Sequence, residues 1–153
     1  MSDAAAQTPH ERVAIVTGEA PGPFATRIAI GPHHLRADEP VENGGHGAAP
    51  DPYEYVLAGL GICTAMTVRL YAERKGWPLQ HVEVRVRHAE RMTAGAEKDV
   101  FTREITLRGD LSEEERARLL SIAERCPVSR TLSAGVTIRS SLADDAPAGE
   151  ATA

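Results

Sequence analysis

The chain has 153 residues, of which 42% are apolar, and this length and composition predict one globular domain with its own core. Its net charge is −5, aromatic residues make up only 4%, and no block of Lys and Arg occurs, so we expect no nucleic-acid surface. The start lacks a basic and then apolar leader, and the longest low-charge run, 55–68, is too short and glycine-rich to span a bilayer. These features predict a cytoplasmic protein without a membrane partner. In the cytoplasm, two cysteines are more often free, catalytic or redox-active than joined in a structural disulfide.

The first part of the chain predicts short β-strands before a long helix. Residues 1–10 are expected to be a flexible lead, 11–142 a single domain, and 143–153 a disordered tail. Alternating and β-branched residues predict strands over 12–17 and 24–30, a third strand that ends near Asp38, and then a loop over 41–51.

The signals for the long helix are the clearest in the sequence. Asp51 is a candidate N-cap, Pro52 suits the first turn, and Glu54 stands three residues after the cap, as in a capping box. Basic residues precede Gly76, which is typical of a helix end. The predicted helix has about 24 residues and is roughly 36 Å long.

The pattern of residues in the second half of the chain predicts two strands, a helix and a last strand. Strands are predicted over 79–90 and 101–109, with a loop over 91–99 between them. Ser112 and Glu115 indicate the capping box of an amphipathic helix over 111–126, and Pro127 ends it or starts a new turn. The segment 136–142 is predicted to be a strand. The order β-β-β-α-β-β-α-β indicates an α+β fold.

The long helix carries no charge from Tyr55 to Val68, so we expect it to be covered on every side. Gly59 and Gly61 each cost about 1 kcal/mol relative to alanine inside a helix, which favours close approach of another backbone. We predict an obligate homodimer with two such helices at its centre. The alternative is that the small residues fit the helix against its own sheet.

The two cysteines differ in their local surroundings. Cys63 lies in the middle of the apolar helix, where a thiol is typically a small buried hydrophobe with a raised pKa. Cys126 is flanked by Arg125 and Arg130 and precedes Pro127, so it is a candidate N-cap of a short helix. Nearby cations and a helix N-terminus favour the thiolate. The alternative for Cys126 is a half-buried helix end beside solvated arginines.

The segment DPYEYVLAGLGICTAMTVRLYAERKGWPL, followed later by RCPVSRTL, resembles the OsmC/Ohr family of osmotically inducible and organic hydroperoxide resistance proteins. The similarity extends from about Arg12 to Leu142 and is greatest to the subgroup with a CTAMT-type helix. The resemblance implies an OsmC-like fold, in which antiparallel sheets wrap around long central helices in an intertwined homodimer.

The resemblance also implies a chemistry. Cys63 matches the peroxidatic cysteine, which an organic hydroperoxide converts to a sulfenic acid. Cys126 matches the resolving cysteine, which forms a Cys63–Cys126 disulfide that an external thiol reduces. The six histidines show no metal-ligand spacing with the cysteines, so we expect no metal and no cofactor. The resemblance implies a stress-defence enzyme whose partners are a second copy, the peroxide and the thiol reductant.

The family supplies an arginine from the N-terminal strands, held by a glutamate about ten residues before the first cysteine. Arginines 12, 27, 36 and 130 are candidates, and Arg36 and Arg130 are favoured. The position ten before Cys63 is Tyr53, and Glu54 is adjacent, although the capping box alone explains Glu54. The alternative to a peroxidase is a dimeric protein of the same fold that binds a small hydrophobic ligand near Cys63 without catalysis.

Overall fold

The computed structural model describes residues 12–89 and 99–143, and these form an α+β fold with two antiparallel sheets. The first sheet has the strand order β1-β2-β3 and the second pairs β4 with β5. The elements in chain order are β1 (Ile15–Gly18), β2 (Thr26–Ile30), β3 (His33–Ala37), a 3₁₀ turn (Val41–Asn43), α1 (Pro52–Lys75), β4 (Leu79–Ala89), β5 (Val100–Gly109), α2 (Glu113–Ala123) and α3 (Pro127–Ala134). The predicted lead over 1–10, most of the loop over 91–99 and the tail beyond residue 143 lie outside the described residues.

The predicted ends of α1 are confirmed. Asp51 accepts a hydrogen bond from the Glu54 backbone, Glu54 accepts one from the Asp51 backbone, and Pro52 begins the helix. Gly76 ends it with a φ of 67°, a left-handed conformation that glycine adopts without steric cost. The capping box of Ser112 and Glu115 at the start of α2 is confirmed as well.

The core lies where α1 and α2 pack against the β4–β5 hairpin. Its buried cluster consists of Val68, Ala72, Leu111, Leu119 and Ala123. Trp77, directly after α1, packs against this cluster and holds the helix end to the sheet. Burial of this apolar surface is the main force that fixes α1 on the hairpin.

Only one face of α1 is covered within a single chain, so the expected cover on every side is absent from the described residues. The buried residues recur every four positions at Leu60, Thr64, Val68 and Ala72. On another face Ile62, Met66 and Leu70 are 55%, 66% and 47% exposed. We call these three residues the exposed α1 stripe.

The two helix glycines have different surroundings. An added Cβ at Gly61 would lie 3.4 Å from a Val86 methyl, so this glycine lets α1 approach its own sheet, as the alternative reading held. At Gly59 an added Cβ would meet nothing within 4 Å among the described residues of the chain. Gly61 is therefore explained within one chain, and Gly59 is not.

The predicted last strand is wrong for the described chain. Residues 136–142 have no regular secondary structure, and Val136, Ile138 and Leu142 are 64%, 82% and 100% exposed. A strand needs the hydrogen bonds of a neighbouring strand, and neither described sheet pairs with this segment. The segment Pro127–Ala134, expected to be at most a new turn or a short helix, forms α3.

By length and composition alone, α1 is the one helix among the described residues that is apolar enough to cross a membrane. A core helix of a globular domain passes the same test. The buried face of α1 against the hairpin and α2 explains part of its apolar composition, and the exposed α1 stripe is not explained within one chain.

Candidate active site

Cys126 lies at the N-terminus of α3, where the chain turns from α2 into the next helix. It is the N-cap residue, its Sγ accepts a hydrogen bond from the Ser129 backbone N–H at 3.3 Å, and Pro127 follows in the first turn. Its side chain is fully buried. The predicted N-cap position is confirmed, whereas the burial is complete rather than partial.

Cys63 lies in the middle of α1, directly before Thr64, whose hydroxyl oxygen is 3.6 Å from the Cys126 Sγ. Cys63 is partly exposed, and a hydrogen bond from its side chain is one of the influences that lower the pKa of Cys126. Both cysteines are free thiols in this structure. The fold therefore brings the two cysteines of the chain together, one accessible from solvent and the other enclosed.

Thr64, the residue after Cys63, connects α1 to Cys126. Its fully buried hydroxyl lies 2.8 Å from the Leu60 carbonyl oxygen and 3.6 Å from the Cys126 Sγ. A hydroxyl has one proton to donate, so it serves one of these two acceptors at a time.

Arg103, on β5, supplies the positive charge of the site. Its Nη1 donates to Thr64 Oγ1 at 2.9 Å and to the Ala123 carbonyl oxygen at 3.0 Å, and it lies 4.0 Å from the Cys126 Sγ. Its Nη2 forms an ion pair with Glu124 at 3.2 Å. The Arg103 side chain is only 11% exposed, so this charge acts from inside the protein.

Opposing effects act on the ionisation of Cys126. Burial raises the pKa of the thiol, but hydrogen bonds from the Ser129 N–H, Thr64 and Cys63, together with the Arg103 charge, lower the pKa below its ordinary value. The arrangement therefore favours a thiolate on Cys126, as its N-cap position suggested.

A family model described as OsmC-like protein matches residues 45–141, a segment that contains both cysteines. The chain belongs to the OsmC-like protein family. No curated protein sequence matches it.

Solved structures confirm the OsmC-like fold. A proposed osmotic stress induced and detoxification response protein of Psychrobacter arcticus superposes with a TM-score of 0.66 at 20% identity, over 81% of this chain and 90% of that one. An organic hydroperoxide resistance protein OsmC of Legionella pneumophila gives 0.59 at 24% identity, with the same coverages of 81% and 90%. The organic hydroperoxide resistance protein OhrB of Bacillus subtilis gives 0.53 at 23% identity, over 77% and 88%.

The two favoured arginines of this OsmC-like chain are elsewhere. Arg36 forms an ion pair with Glu19 at 3.1 Å on the first sheet, and two thirds of its side chain is exposed. Arg130 lies exposed on α3. Within the described residues, neither side chain hydrogen-bonds to a cysteine. Glu54 is exposed and occupied in the capping box, which is its explained role.

Arg103 was missed because a charged residue in an alternating strand is usually assigned to the wet face. The other residues of the same parity in β5, Phe101, Ile105 and Leu107, face inward, whereas Thr102, Glu104, Thr106 and Arg108 are exposed. A lone arginine on the apolar side of a strand was therefore the signal that pointed to it.

Proposed function

We propose that this OsmC-like protein is a cysteine-dependent peroxidase that reduces organic hydroperoxides in oxidative stress defence. The observation that carries the proposal is that a partly exposed Cys63 and a buried, charge-stabilised Cys126 share one site, since Thr64, the residue after Cys63, has its hydroxyl oxygen 3.6 Å from the Cys126 Sγ. Formation of the disulfide requires the two sulfurs to approach to about 2.05 Å.

The structural neighbours from Legionella pneumophila and Bacillus subtilis, both named as organic hydroperoxide resistance proteins, support the same activity. The difference in exposure supports the two roles. A peroxide arriving from solvent meets Cys63 first, because Cys126 is completely enclosed.

The proposed reaction has three steps. The Cys63 thiolate attacks the terminal oxygen of ROOH, the O–O bond breaks, and Cys63 becomes a sulfenic acid, while the alkoxide takes up a proton from solvent and leaves as the alcohol ROH. The Cys126 thiolate then attacks the Cys63 sulfur, the S–O bond breaks, and the hydroxide leaves as water after protonation. An external dithiol finally reduces the disulfide and is itself oxidised to a disulfide, which returns both cysteines to the thiol state.

The binding site for the organic group is expected to involve a second chain. Three cavities of about 660, 500 and 310 Å³ on the described surface are lined by residues other than the two cysteines. The apolar neighbours Ile62 and Met66 are more than half exposed beside Cys63 on α1. A partner helix packed on the exposed α1 stripe would enclose this side of Cys63 and form an apolar site for the tail of a hydroperoxide.

Two further features support the homodimer. The apolar segment 136–142 is exposed and lacks a strand partner among the described residues, so pairing with the partner subunit would satisfy its backbone. In the first sheet Ile15, Val16 and Leu35 are exposed as well. A soluble monomer rarely leaves so much apolar surface in contact with water. We propose an intertwined, cytoplasmic homodimer.

The test is a titration of free thiols before and after one equivalent of cumene hydroperoxide, repeated with Cys63→Ser and Cys126→Ser. The wild type is expected to lose both thiols rapidly, Cys126→Ser to form a sulfenic acid on Cys63, and Cys63→Ser to remain unreacted. An equivalent of hydrogen peroxide is expected to react more slowly, because it lacks an apolar tail. Survival of both thiols in the wild type would overturn the peroxidase and turn attention to non-catalytic binding of a hydrophobic ligand.

A further inference from the structure

Arg103 is a charged side chain on the inward side of a strand. In the register of the second sheet it stands opposite Val86, and its neighbours along the inner face of β5 are Phe101 and Ile105. Enclosing a guanidinium to 11% exposure is costly unless the charge finds partners. The position therefore needs an explanation that packing alone does not supply.

The carboxylate that pairs with Arg103 lies on the solvent side, so it does not neutralise the guanidinium charge from within the protein. This acidic partner, Glu124, is 67% exposed, so water screens that ion pair. The inner contacts of Arg103 are the Thr64 hydroxyl oxygen, the Ala123 carbonyl oxygen and the Cys126 sulfur, of which the first two are uncharged. The sulfur is the one enclosed group in this set that can carry a negative charge.

The contacts of the Cys126 sulfur have the pattern expected of an acceptor. Sγ receives the Ser129 backbone N–H at 3.3 Å, and Thr64 Oγ1 and Arg103 Nη1 lie at 3.6 and 4.0 Å. The titratable and charged groups that face it are Cys63 from α1, Arg103 from β5 and, through Arg103, Glu124 at the end of α2. A thiolate satisfies these donors better than a thiol, which must also place its own proton.

We propose that Arg103 is the charge-balancing residue of the two-cysteine site, and that it holds the negative charge on Cys126 so that the reductant attacks Cys63. This inference rests on the proposed peroxidase function for its consequence in the reaction cycle. Arg103 acts as a positioning residue, since it contacts the resolving sulfur and the end of α2 rather than the peroxide.

The charge placement determines the direction of disulfide reduction. The thiolate of an external thiol can attack either sulfur, and the better leaving group is the sulfur with the lower pKa. Attack on Cys63 breaks the S–S bond, the electron pair stays on Cys126 beside Arg103, and the external thiol becomes bonded to Cys63. A second external thiolate then attacks that mixed disulfide and releases Cys63. Cys63 is also the accessible sulfur, so exposure and charge favour the same direction.

The first test measures the Cys126 thiolate directly by its absorbance near 240 nm as a function of pH, in Cys63→Ser so that one thiol remains. Arg103→Gln is expected to reduce the thiolate fraction at neutral pH about tenfold, since a neighbouring charge has effects of this order. Arg103→Lys should restore most of it. Glu124→Gln is the matched control, because it removes the competing carboxylate but keeps the cation, and it should increase the thiolate fraction at low salt.

A purely structural arginine gives a different result. In that case Arg103→Gln would lower the unfolding free energy and leave the titration of the folded protein unchanged, which would overturn the proposal. If Arg103→Gln does not fold, Glu124→Gln decides the question: a thiolate fraction that does not rise above that of Cys63→Ser at low salt overturns the proposal.

The second test locates the mixed disulfide. The oxidised wild type is treated briefly with glutathione, quenched in acid and denatured, and the free thiols are alkylated before peptide mass analysis. Glutathione is expected on Cys63 and the alkyl group on Cys126, and the reverse distribution would overturn the proposed direction. Failure of the wild type to consume hydroperoxide would refute the proposed peroxidase activity but not the proposed role of Arg103. The thiolate titration is made on reduced protein, and the disulfide for the second test can be formed with a chemical oxidant.

Discussion

Arg103 and Thr64 are joined by a hydrogen bond of 2.9 Å between Nη1 and Oγ1, although 39 residues separate them in the chain. This contact ties β5 to α1 at the point where Cys126 meets both. The Thr64 hydroxyl also lies within reach of the Leu60 carbonyl and the Cys126 sulfur, so one side chain connects the charge, the helix and the thiol.

Thr64→Val is expected to destabilise the protein and weaken the acidity of Cys126. The isosteric valine removes the acceptor for the Arg103 N–H, and a buried donor without its acceptor costs about 1–3 kcal/mol. Urea unfolding measures the first effect and the 240 nm titration in Cys63→Ser the second. Thr64→Ser keeps the hydroxyl and is the control, which should retain the titration. Equal behaviour of the Val and Ser variants would contradict a role for the hydroxyl.

The stability of the protein should depend on the ionisation of Cys126. Burial raises the pKa of this thiol, but its hydrogen bonds and the Arg103 charge lower it below the ordinary value of 9.0. Between the folded pKa and about 9 the unfolded chain binds more protons, so the unfolding free energy rises with pH in this window. This gain in unfolding free energy is complete above about pH 9 and is lost as the pH falls through the pKa of Cys126 in the folded protein.

This dependence is measured by urea unfolding of Cys63→Ser between pH 6 and 9, compared with the double variant that also carries Cys126→Ser. The difference between the two should grow with pH. Parallel curves would mean that Cys126 has the same pKa in the folded and unfolded states.

Ile62→Glu is expected to convert the proposed homodimer into monomers. It places a carboxylate on the exposed α1 stripe, and burying that charge in an apolar interface costs several kcal/mol, or about a hundredfold or more in Kd. Leu120→Glu on α2 is a matched control, because Leu120 is 54% exposed and Ile62 is 55% exposed. Sedimentation equilibrium gives the mass of each variant. A monomeric wild type would refute the dimer, and an intact dimer of Ile62→Glu would refute the α1 interface.

Asp38→Asn is expected to loosen the loop before α1. The buried Asp38 carboxylate accepts backbone N–H groups from Glu39, His46 and Ala48 at 2.9, 3.0 and 3.2 Å. Burial raises its pKa, but these three hydrogen bonds and the nearby His46 lower it below 3.8. An amide presents a donor where one carboxylate oxygen accepts two of these bonds, so the loop loses acceptors.

Amide hydrogen exchange at His46 and Ala48 is the measurement, and it should be clearly faster in Asp38→Asn. The exposed Glu42→Gln in the same loop is the control and should leave the exchange unchanged. The stabilisation by Asp38 is expected to be present above about pH 4 and to be lost as the pH falls through its lowered pKa. Unchanged exchange at both amides would contradict the role of this carboxylate.

The elements whose signals are local could be predicted from the sequence. The caps at Asp51, Ser112 and Cys126, and the glycine end at Gly76, involve residues within four positions of one another, so their chemistry appears in a short window. The family resemblance, carried by the segments around the two cysteines, likewise indicated the fold that the solved structures confirm.

Other features depended on contacts between distant segments. Arg36 and Arg130 were predicted as the cation that activates Cys63, but within the described residues neither side chain hydrogen-bonds to a cysteine. The alternation of β5 could place Arg103 on the inner face, but only the packing of α2 over β5 brings it to Cys126. The strand expected over 136–142 had the right composition but lacks a neighbour in the described chain.

The sequence by itself determined where α1 begins and ends and where α2 and α3 begin, because caps act over a few residues. Only the tertiary structure decided which charge lies beside Cys126 and which sulfur is accessible. These properties arise from the burial and proximity of groups far apart in the chain, and electrostatic interactions depend on the distance and the exclusion of water that folding creates.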